Sequence, residues 1–264
     1  MTIRFLLLAV AVALAGCQSV SSPDISRDSS PVLRVGMTPN SPPLVFRRNG
    51  ELAGLETDFA RALGEALRRP VRVASLKWEE LIPSLERGDV DVIMAGMTIT
   101  SERAVRVRFT EPYMEVGQLA LFRAKDARKF PNRVVVQTTA ERVGVEQGTT
   151  SDIYAQRMMM NATRVAFASS KVAVDALVAG EVGVVLCDAP MALWLASENE
   201  SRGVVAMTQL MTREQLAWAV RRDDAALAES VNAALRGWKQ EGKLRAMIHR
   251  WVPYYENLQQ ALME

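Results

Sequence analysis

The chain has 264 residues, of which 49% are hydrophobic, so it can form one large domain or two small ones around a real core. Its 32 lysines and arginines exceed its 30 aspartates and glutamates by only two. This near balance leaves no polybasic surface for nucleic acid and no acidic tail, and we therefore predict no nucleic-acid partner.

The first residues are typical of a secretion signal. Arg4 precedes the apolar run FLLLAVAVALAG, whose twelve residues fall short of the roughly 20 that a membrane-spanning helix needs, although a short anchor helix is the alternative. The sequence LAGC, ending at Cys17, resembles the lipobox of bacterial lipoproteins, and an ordinary signal cleaved nearby is the other possibility. The resemblance implies a signal peptide over residues 1–16 and acyl chains such as palmitate on Cys17, which would anchor the protein to a membrane.

A segment rich in serine, proline and aspartate covers residues 17–31, and we predict a flexible tether there because this composition cannot build a core. Beyond it, leucine or phenylalanine recurs every fourth residue from Leu55 to Leu67, which predicts an amphipathic helix. Short apolar runs and a further helical pattern predict the neighbouring elements: strands at 32–37, 71–76 and 90–96, and a helix at 78–88.

The alternation of strands and helices repeats in the second half of the chain, between residues 142 and 196. This order predicts two α/β units, roughly 32–122 and 125–213, each with a parallel sheet and helices on both faces. A strand and helices follow in the tail, over 215–252. Cys187 lies in an apolar run of the second unit, where we predict a buried core thiol.

The third predicted strand ends at a glycine, and small and hydroxyl residues and then an arginine follow it. Ligands of open parallel sheets bind beyond the carboxyl ends of the strands, and a capped helix start there favours an anion. Arginine adds a forked donor that matches a carboxylate. We therefore predict a carboxylate clamp of Gly96, Thr98 and Arg103. A surface ion pair of Arg103 with Glu102 or Glu111 is the alternative.

Four ordered motifs carry a family resemblance: GLETDFARALGEAL at 54–67, WEELIPSLERGDVDVIMAGMTITSERAVRVRFTEPY at 78–113, VGVEQGTT at 143–150 and EGKLRAMIHRW at 241–251. Together they resemble the family 3 bacterial extracellular solute-binding proteins, the periplasmic receptors of polar amino-acid ABC transporters. The resemblance implies an α/β fold of type II, with two lobes, two crossover strands and the ligand in between. It places lobe 1 at 32–121 plus 216–264, lobe 2 at 122–215, and the crossovers at 117–124 and 214–220.

The resemblance also implies a binding site. The ligand α-carboxylate would meet the predicted clamp, with help from the loop of Gly148, Thr149 and Thr150, and the α-ammonium would meet Asp188 from the lobe opposite Arg103. Trp78 would lie against the ligand side chain. A core position for Trp78 and a helix N-cap role for Asp188 are the alternatives.

Two positions depart from the family pattern, which often has aspartate or serine at Thr38 and an aromatic residue at Ser41. We therefore expect the pair of aromatic rings that encloses the ligand side chain in relatives to be incomplete in this chain. Glu146 occupies a position that faces the ligand in some relatives, where a carboxylate would favour a basic side chain. A solvated charge at a strand end is the alternative for Glu146.

The function implied by the resemblance is that of a monomeric, lipid-anchored periplasmic receptor, which captures an amino acid or similar zwitterion and presents it to an ABC permease. The resemblance implies no enzymatic activity and no cofactor. With His249 as the only histidine and no cysteine cluster, we predict no metal site. The alternatives are a dehydratase that acts on cyclohexadienyl compounds such as arogenate, with Glu56 or Glu146 as general acid, and a sensing module for a membrane partner.

Overall fold

The computed structural model describes residues 31–262. The predicted signal peptide, the lipidation at Cys17 and all but the last residue of the predicted tether lie outside the described residues. Within 31–262, no helix is both long enough and apolar enough to cross a membrane.

Strands and helices alternate through most of the described residues. The strands are β1 (Leu33–Met37), β2 (Asn40–Ser41), β3 (Val45–Arg48), β4 (Glu51–Ala53), β5 (Val71–Ser75), β6 (Val92–Ile93), β7 (Val107–Phe109), β8 (Met114–Val116), β9 (Gln118–Arg123), β10 (Arg142–Glu146), β11 (Thr163–Phe167), β12 (Val184–Asp188), β13 (Val204–Ala206), β14 (Glu214–Leu216) and β15 (Ala219–Arg221). The helices are α1 (Leu55–Leu67), α2 (Leu81–Glu86), α3 (Ser101–Ala104), α4 (Arg133–Gln137), α5 (Thr150–Met158), α6 (Ser170–Ala179), α7 (Ala189–Glu198), α8 (Ala225–Gln240), α9 (Lys243–Trp251) and α10 (Tyr255–Ala261).

The first lobe is built on a sheet with the strand order β5-β1-β6-β15-β7. β1 pairs in parallel with β5 and β6, whereas β15 is antiparallel to both of its neighbours. The apolar side chains that recur every fourth residue along helix α1 pack into the core, where Phe59 and Leu63 are fully buried. Because β15 comes from the far end of the chain, this lobe is made of two separate segments.

The second lobe is built on a sheet with the order β11-β10-β12-β9-β13. β10 is parallel to β11 and β12, and β9 runs antiparallel to β12 and β13. Strand β12 is apolar up to Cys187, which is 2% exposed, and the following Asp188 lies at the carboxyl end of the strand. The predicted burial of Cys187 is therefore confirmed, and both lobes present strand ends to the region between them.

Two crossover strands connect the lobes, as the two-lobed fold requires. They are β8 and β14, which pair antiparallel with Leu216 opposite Met114 and Glu214 opposite Val116. The first crossover was expected at 117–124, but residues Gln118–Arg123 form β9 inside the second sheet. This apolar stretch is covered on both faces, which suits a strand inside a sheet rather than a connection. The residue limits of the two lobes stay a prediction.

Candidate ligand-binding cleft

A cavity between the two lobes is lined by residues from both of them. Its lining includes eight of the nine ligand-binding residues expected from the sequence: Trp78, Gly96, Thr98, Arg103, Glu146, Thr149, Thr150 and Asp188. Thr38, the ninth, lines an adjoining pocket together with Asn40, Trp78 and Glu146. Folding thus brings together side chains that are up to 110 positions apart in the sequence, from Trp78 to Asp188.

The loop after β6 is shaped by Gly96, which has a φ of +66°. A Cβ atom at this position would lie 2.6 Å from Leu44 Cδ1, so a side chain would strain the backbone and would require the Leu44 side chain to shift. The Gly96 N–H donates a 2.7 Å hydrogen bond to Glu56 Oε1. Gly96 therefore shapes the clamp loop, while its N–H is already engaged within the lobe.

Arg103 lies in the short helix α3 and is 8% exposed. Its Nη1 donates to the Thr98 carbonyl oxygen at 2.9 Å, and its guanidinium carbon lies 5.1 Å from the centre of the Trp78 ring. Glu102 pairs instead with Arg157, and Glu111 pairs with Arg236, so the alternative of a surface ion pair is wrong. The contacts with Thr98 and Trp78 hold the guanidinium in place, and its positive charge lies at the cleft.

Trp78 lies at the junction of the lobes and is partly buried. Its Nε1 donates a 3.0 Å hydrogen bond to the Gly148 carbonyl oxygen of the second lobe. The ring also packs against the hydrophobic cluster that contains Leu81 and Met97. Trp78 thus has a core-facing side, as the alternative expected, and it lines the cleft as well.

The loop from β10 to α5 supplies the second-lobe threonines. Thr149 caps α5, since its Oγ1 accepts from the Asp152 N–H at 3.4 Å and donates to the Glu146 carbonyl oxygen at 2.7 Å. The first N–H groups of a helix have no partner within it, so the start of α5 at Thr150 presents donors to an anion.

Glu146 ends β10 and is only 3% exposed. Its Oε2 accepts hydrogen bonds from both the N–H and the hydroxyl of Ser170, each 3.0 Å long. Burial raises the pKa of the Glu146 carboxyl, and the Ser170 bonds oppose that rise. The alternative of a solvated strand-end charge is therefore wrong, because this carboxyl is buried at the cleft wall.

Asp188 stands directly before α7, but its side chain makes no capping hydrogen bond. Its Oδ1 accepts from Gln118 Nε2, the residue opposite it in the β9–β12 pair. Burial, followed by the negative charge of Glu214, raises the pKa of Asp188 to about 7, while Gln118 and Arg103 oppose this shift. A cation placed at Asp188 would stabilise the ionised carboxylate.

Two residues near Asp188, Glu214 and Gln118, were not predicted from the sequence as part of the site. Glu214 accepts from Thr98 Oγ1 at 2.7 Å and from Gln118 Nε2 at 3.1 Å. Gln118 is fully buried. Gln118 could have been found only from its register opposite Asp188, which depends on knowing that β9 pairs with β12.

Glu56 lies behind the clamp loop rather than in the cleft lining, and it is fully buried. It accepts hydrogen bonds from Gly96 N–H, from Tyr113 Oη at 2.5 Å and from Trp218 Nε1 at 2.9 Å. Burial raises its pKa to about 7, although these three donors oppose the shift. Glu56 therefore supports the loop that carries Gly96 and lacks the contact with the cleft that a general acid needs.

Metal-ligating side chains do not cluster in the part of the chain that the structure describes. No group of three or more histidine, cysteine, aspartate or glutamate side chains there is arranged to hold a metal ion.

A two-lobed α/β fold, with a polar cleft whose arginine and aspartate come from opposite lobes, defines a solute-binding protein of the periplasmic type. The sequence profile of the bacterial extracellular solute-binding proteins, family 3, matches residues 33–254, and the chain belongs to that family. The family and fold expected from the sequence are thus confirmed.

Individual relatives are amino-acid-binding proteins. The chain is 29% identical over 227 residues to the ABC transporter arginine-binding protein 1 of Escherichia coli (strain K12), covering 84% of this chain and 90% of that protein. The structure of an ancestral arginine-binding protein bound to arginine is similar with a TM-score of 0.78 and 29% identity, covering 84% of this chain and 98% of that one. An ancestral amino-acid-binding protein described as a precursor of cyclohexadienyl dehydratase has a TM-score of 0.76 and 31% identity, with 83% and 94% covered.

Proposed function

We propose that this protein is the substrate-binding subunit of a polar amino-acid ABC transporter and that it captures amino acids with a cationic side chain. The observation that carries the proposal is the placement of Arg103 and Asp188, from opposite lobes, in the lining of one cavity. A free amino acid carries a carboxylate and an ammonium group on the same carbon. One such molecule can therefore satisfy both side chains at once.

The carboxylate would bind on the Arg103 side of the cleft. The guanidinium supplies a forked, permanently charged donor, and the N-terminus of α5 supplies backbone N–H groups from the other lobe. Gly96 and Thr98 would act mainly by shape, because the Gly96 N–H and the Thr98 hydroxyl already donate to Glu56 and Glu214.

The ammonium would bind at Asp188, and the positive charge would favour the ionised form of this carboxyl group. The side chain of the ligand would extend towards Glu146, whose buried carboxyl lies where the cleft meets the pocket that contains Thr38 and Asn40. A buried carboxylate without a positively charged partner favours a cationic ligand group. The arginine-binding relatives support this assignment.

Ligand binding would favour closure of the lobes, because only the closed cleft lets one zwitterion touch both Arg103 and Asp188. Trp78 would lie along the ligand side chain, as in the expectation from the sequence. We further propose that the protein is a monomer, that Cys17 carries the lipid anchor in the cell envelope, and that the permease is its membrane partner. We propose two lobes close to the expected limits, 32–121 plus 216–264 and 122–215, with the first boundary moved to precede β9, because Gln118–Arg123 belongs to the second sheet.

A thermal-shift screen of a fragment that begins at Ser30 tests the proposal against all common amino acids. A ligand that binds only the folded state raises the melting temperature by mass action. We expect arginine and lysine to give the largest rise. If no amino acid stabilises the fragment, the proposed function is wrong.

A dehydratase on the same scaffold is the second candidate, because the carboxyl of Asp188, with a pKa of about 7, lies in the cleft with Arg103. A protonated carboxyl near a bound substrate could serve as a general acid. Incubation with arogenate and with prephenate distinguishes the two functions. Ring-aromatised product would favour the enzyme, and unchanged substrate together with amino-acid binding would favour the receptor.

A further inference from the structure

A hydrogen-bond network at the second crossover strand joins the two sides of the cleft. Glu214, the first residue of β14, accepts from the Thr98 hydroxyl of the first lobe at 2.7 Å. Its other oxygen accepts from Gln118 Nε2 of the second lobe at 3.1 Å and from the Thr212 hydroxyl at 2.7 Å. Gln118 Nε2 also donates to Asp188.

We propose that Glu214 is a positioning residue of the binding site, which holds Thr98 and Gln118 together and so couples the carboxylate side of the cleft to Asp188. This inference rests on the proposed function, since it assumes that Asp188 binds the ligand ammonium. Glu214 is not part of the cavity lining, so it acts through Gln118 rather than by touching the ligand.

The hydrogen-bonding capacity of Gln118 makes the coupling strong. Its Nε2 has two hydrogens but lies within hydrogen-bond distance of three acceptors, on Thr150, Asp188 and Glu214. Its Oε1 is buried without a hydrogen-bond partner among the described residues. The orientation of this amide is therefore set by the acceptors around Nε2, and a change at Glu214 alters the hydrogen bond that Asp188 receives.

Glu214 also acts on Asp188 through its charge. The charged groups that influence Asp188 are Arg103 of the first lobe, Glu146 of the second lobe and Glu214 of the crossover strand. The negative charge of Glu214 raises the pKa of Asp188, second only to burial, towards about 7. An ammonium ligand binds the ionised carboxylate, so affinity should increase as the pH rises through this range.

The neutral substitution Glu214→Gln tests the inference, with L-arginine as the probe in titration calorimetry between pH 5.5 and 8.5. We expect affinity at pH 8 to fall about tenfold, in line with the loss of charge-assisted hydrogen bonds. Because a like charge has been removed, the midpoint of the affinity–pH curve should move down by about one pH unit. A purely structural role would weaken binding without moving this midpoint.

Glu115→Gln is the matched control, because Glu115 lies on the partner strand β8 and, among the contacts described, its side-chain carboxylate accepts hydrogen bonds only from Arg213 and Gln215. It should leave the affinity and the midpoint unchanged. Gln118→Met provides a second test if Glu214→Gln does not fold. It removes the hydrogen bond that lowers the pKa of Asp188, so the midpoint should move up.

An unchanged midpoint in Glu214→Gln, or an equal shift in Glu115→Gln, overturns the inference. Asp188→Asn separates this failure from failure of the proposed function. If Asp188→Asn weakens arginine binding while Glu214→Gln leaves the midpoint unchanged, the site stands and only the coupling is wrong. If Asp188→Asn leaves arginine binding unaltered, the proposed site and the inference both fail.

Discussion

Arg103 in the first lobe and Gly148 in the second are joined directly across the cleft. Arg103 Nη2 donates to the Gly148 carbonyl oxygen at 3.3 Å, and Trp78 Nε1 donates to the same oxygen at 3.0 Å. The Gly148 carbonyl oxygen of the second lobe thus accepts hydrogen bonds from two side chains of the first lobe. Residues that would bind the ligand also take part in holding the lobes together.

Replacement of Arg103 by alanine should weaken amino-acid binding by roughly 2–5 kcal/mol, by analogy with truncating one partner of a buried charge pair. The lost guanidinium is the main positive charge offered to the ligand carboxylate. Calorimetry with L-arginine measures the effect. Arg106→Ala is a suitable control, because Arg106 forms an exposed ion pair with Glu86 on the same lobe. Equal affinities for Arg103→Ala and the wild type would contradict the clamp.

Glu146→Gln should change ligand selectivity. The amide keeps the shape and can still accept from Ser170, but it removes the negative charge near the proposed ligand side chain. We expect affinity for arginine to fall about tenfold or more while affinity for glutamine changes little. Calorimetry with both amino acids decides this, with Glu141→Gln as control, because the partly exposed Glu141 lies outside the cavity lining. An equal loss for both ligands, or no loss for either, refutes the role.

The buried Glu56 predicts a specific pH dependence of stability. Its pKa is raised from the ordinary 4.5 to about 7 in the folded protein, so the folded state holds the proton more tightly than the unfolded state. The resulting stabilisation is complete below about pH 4.5 and is lost as the pH rises through about 7. The lost contribution is on the order of 3 kcal/mol.

Urea unfolding of the wild type and of Glu56→Gln at several pH values tests this prediction. Glutamine stays neutral throughout, so the difference in unfolding free energy between the two proteins should change in favour of the variant between pH 4.5 and pH 7. Asp188 has a pKa raised in the same direction, but it is present in both proteins and cancels in the comparison. Two parallel stability curves would show that Glu56 does not titrate in this range.

Gly96→Ala should destabilise the protein and weaken ligand binding. The added Cβ would occupy a backbone with φ +66° and lie 2.6 Å from Leu44 Cδ1. Gly50→Ala is a matched control, since Gly50 has a φ of +84° and a Cβ added there would have no heavy atom within 4 Å. Left-handed backbone costs an alanine about 1–2 kcal/mol at either site. Any further loss at Gly96, in thermal unfolding and in calorimetry, measures the contact with Leu44.

Local patterns in the sequence predicted much of the fold. The fourth-residue spacing gave the correct helix at Leu55–Leu67, and apolar runs marked β1, β5, β10, β11 and β12. The strand expected over 90–96 is shorter, and only Val92–Ile93 pair as a strand. The first crossover was placed too late, because an apolar run does not reveal which sheet it will join.

The candidate site residues also differ in how far the sequence could predict them. Arg103 could be proposed from its place beyond a buried strand, where ligands of open sheets bind. Asp188 was proposed only through the family resemblance. The buried environment of Glu146 could not be predicted, since its hydrogen-bond donor Ser170 is 24 positions away in the sequence. The role of Glu56 in accepting the Gly96 N–H was equally hidden, because the 40 residues between them give no local signal.

Cys187 gives the cleft a chemical reporter. It lines the cavity beside Asp188, it is 2% exposed, and burial raises its thiol pKa. In a fragment that begins at Ser30 it is the sole cysteine, so a single alkylating reagent labels one defined position. If the lobes close on a ligand as proposed, a bound amino acid should slow the labelling of this thiol in proportion to occupancy.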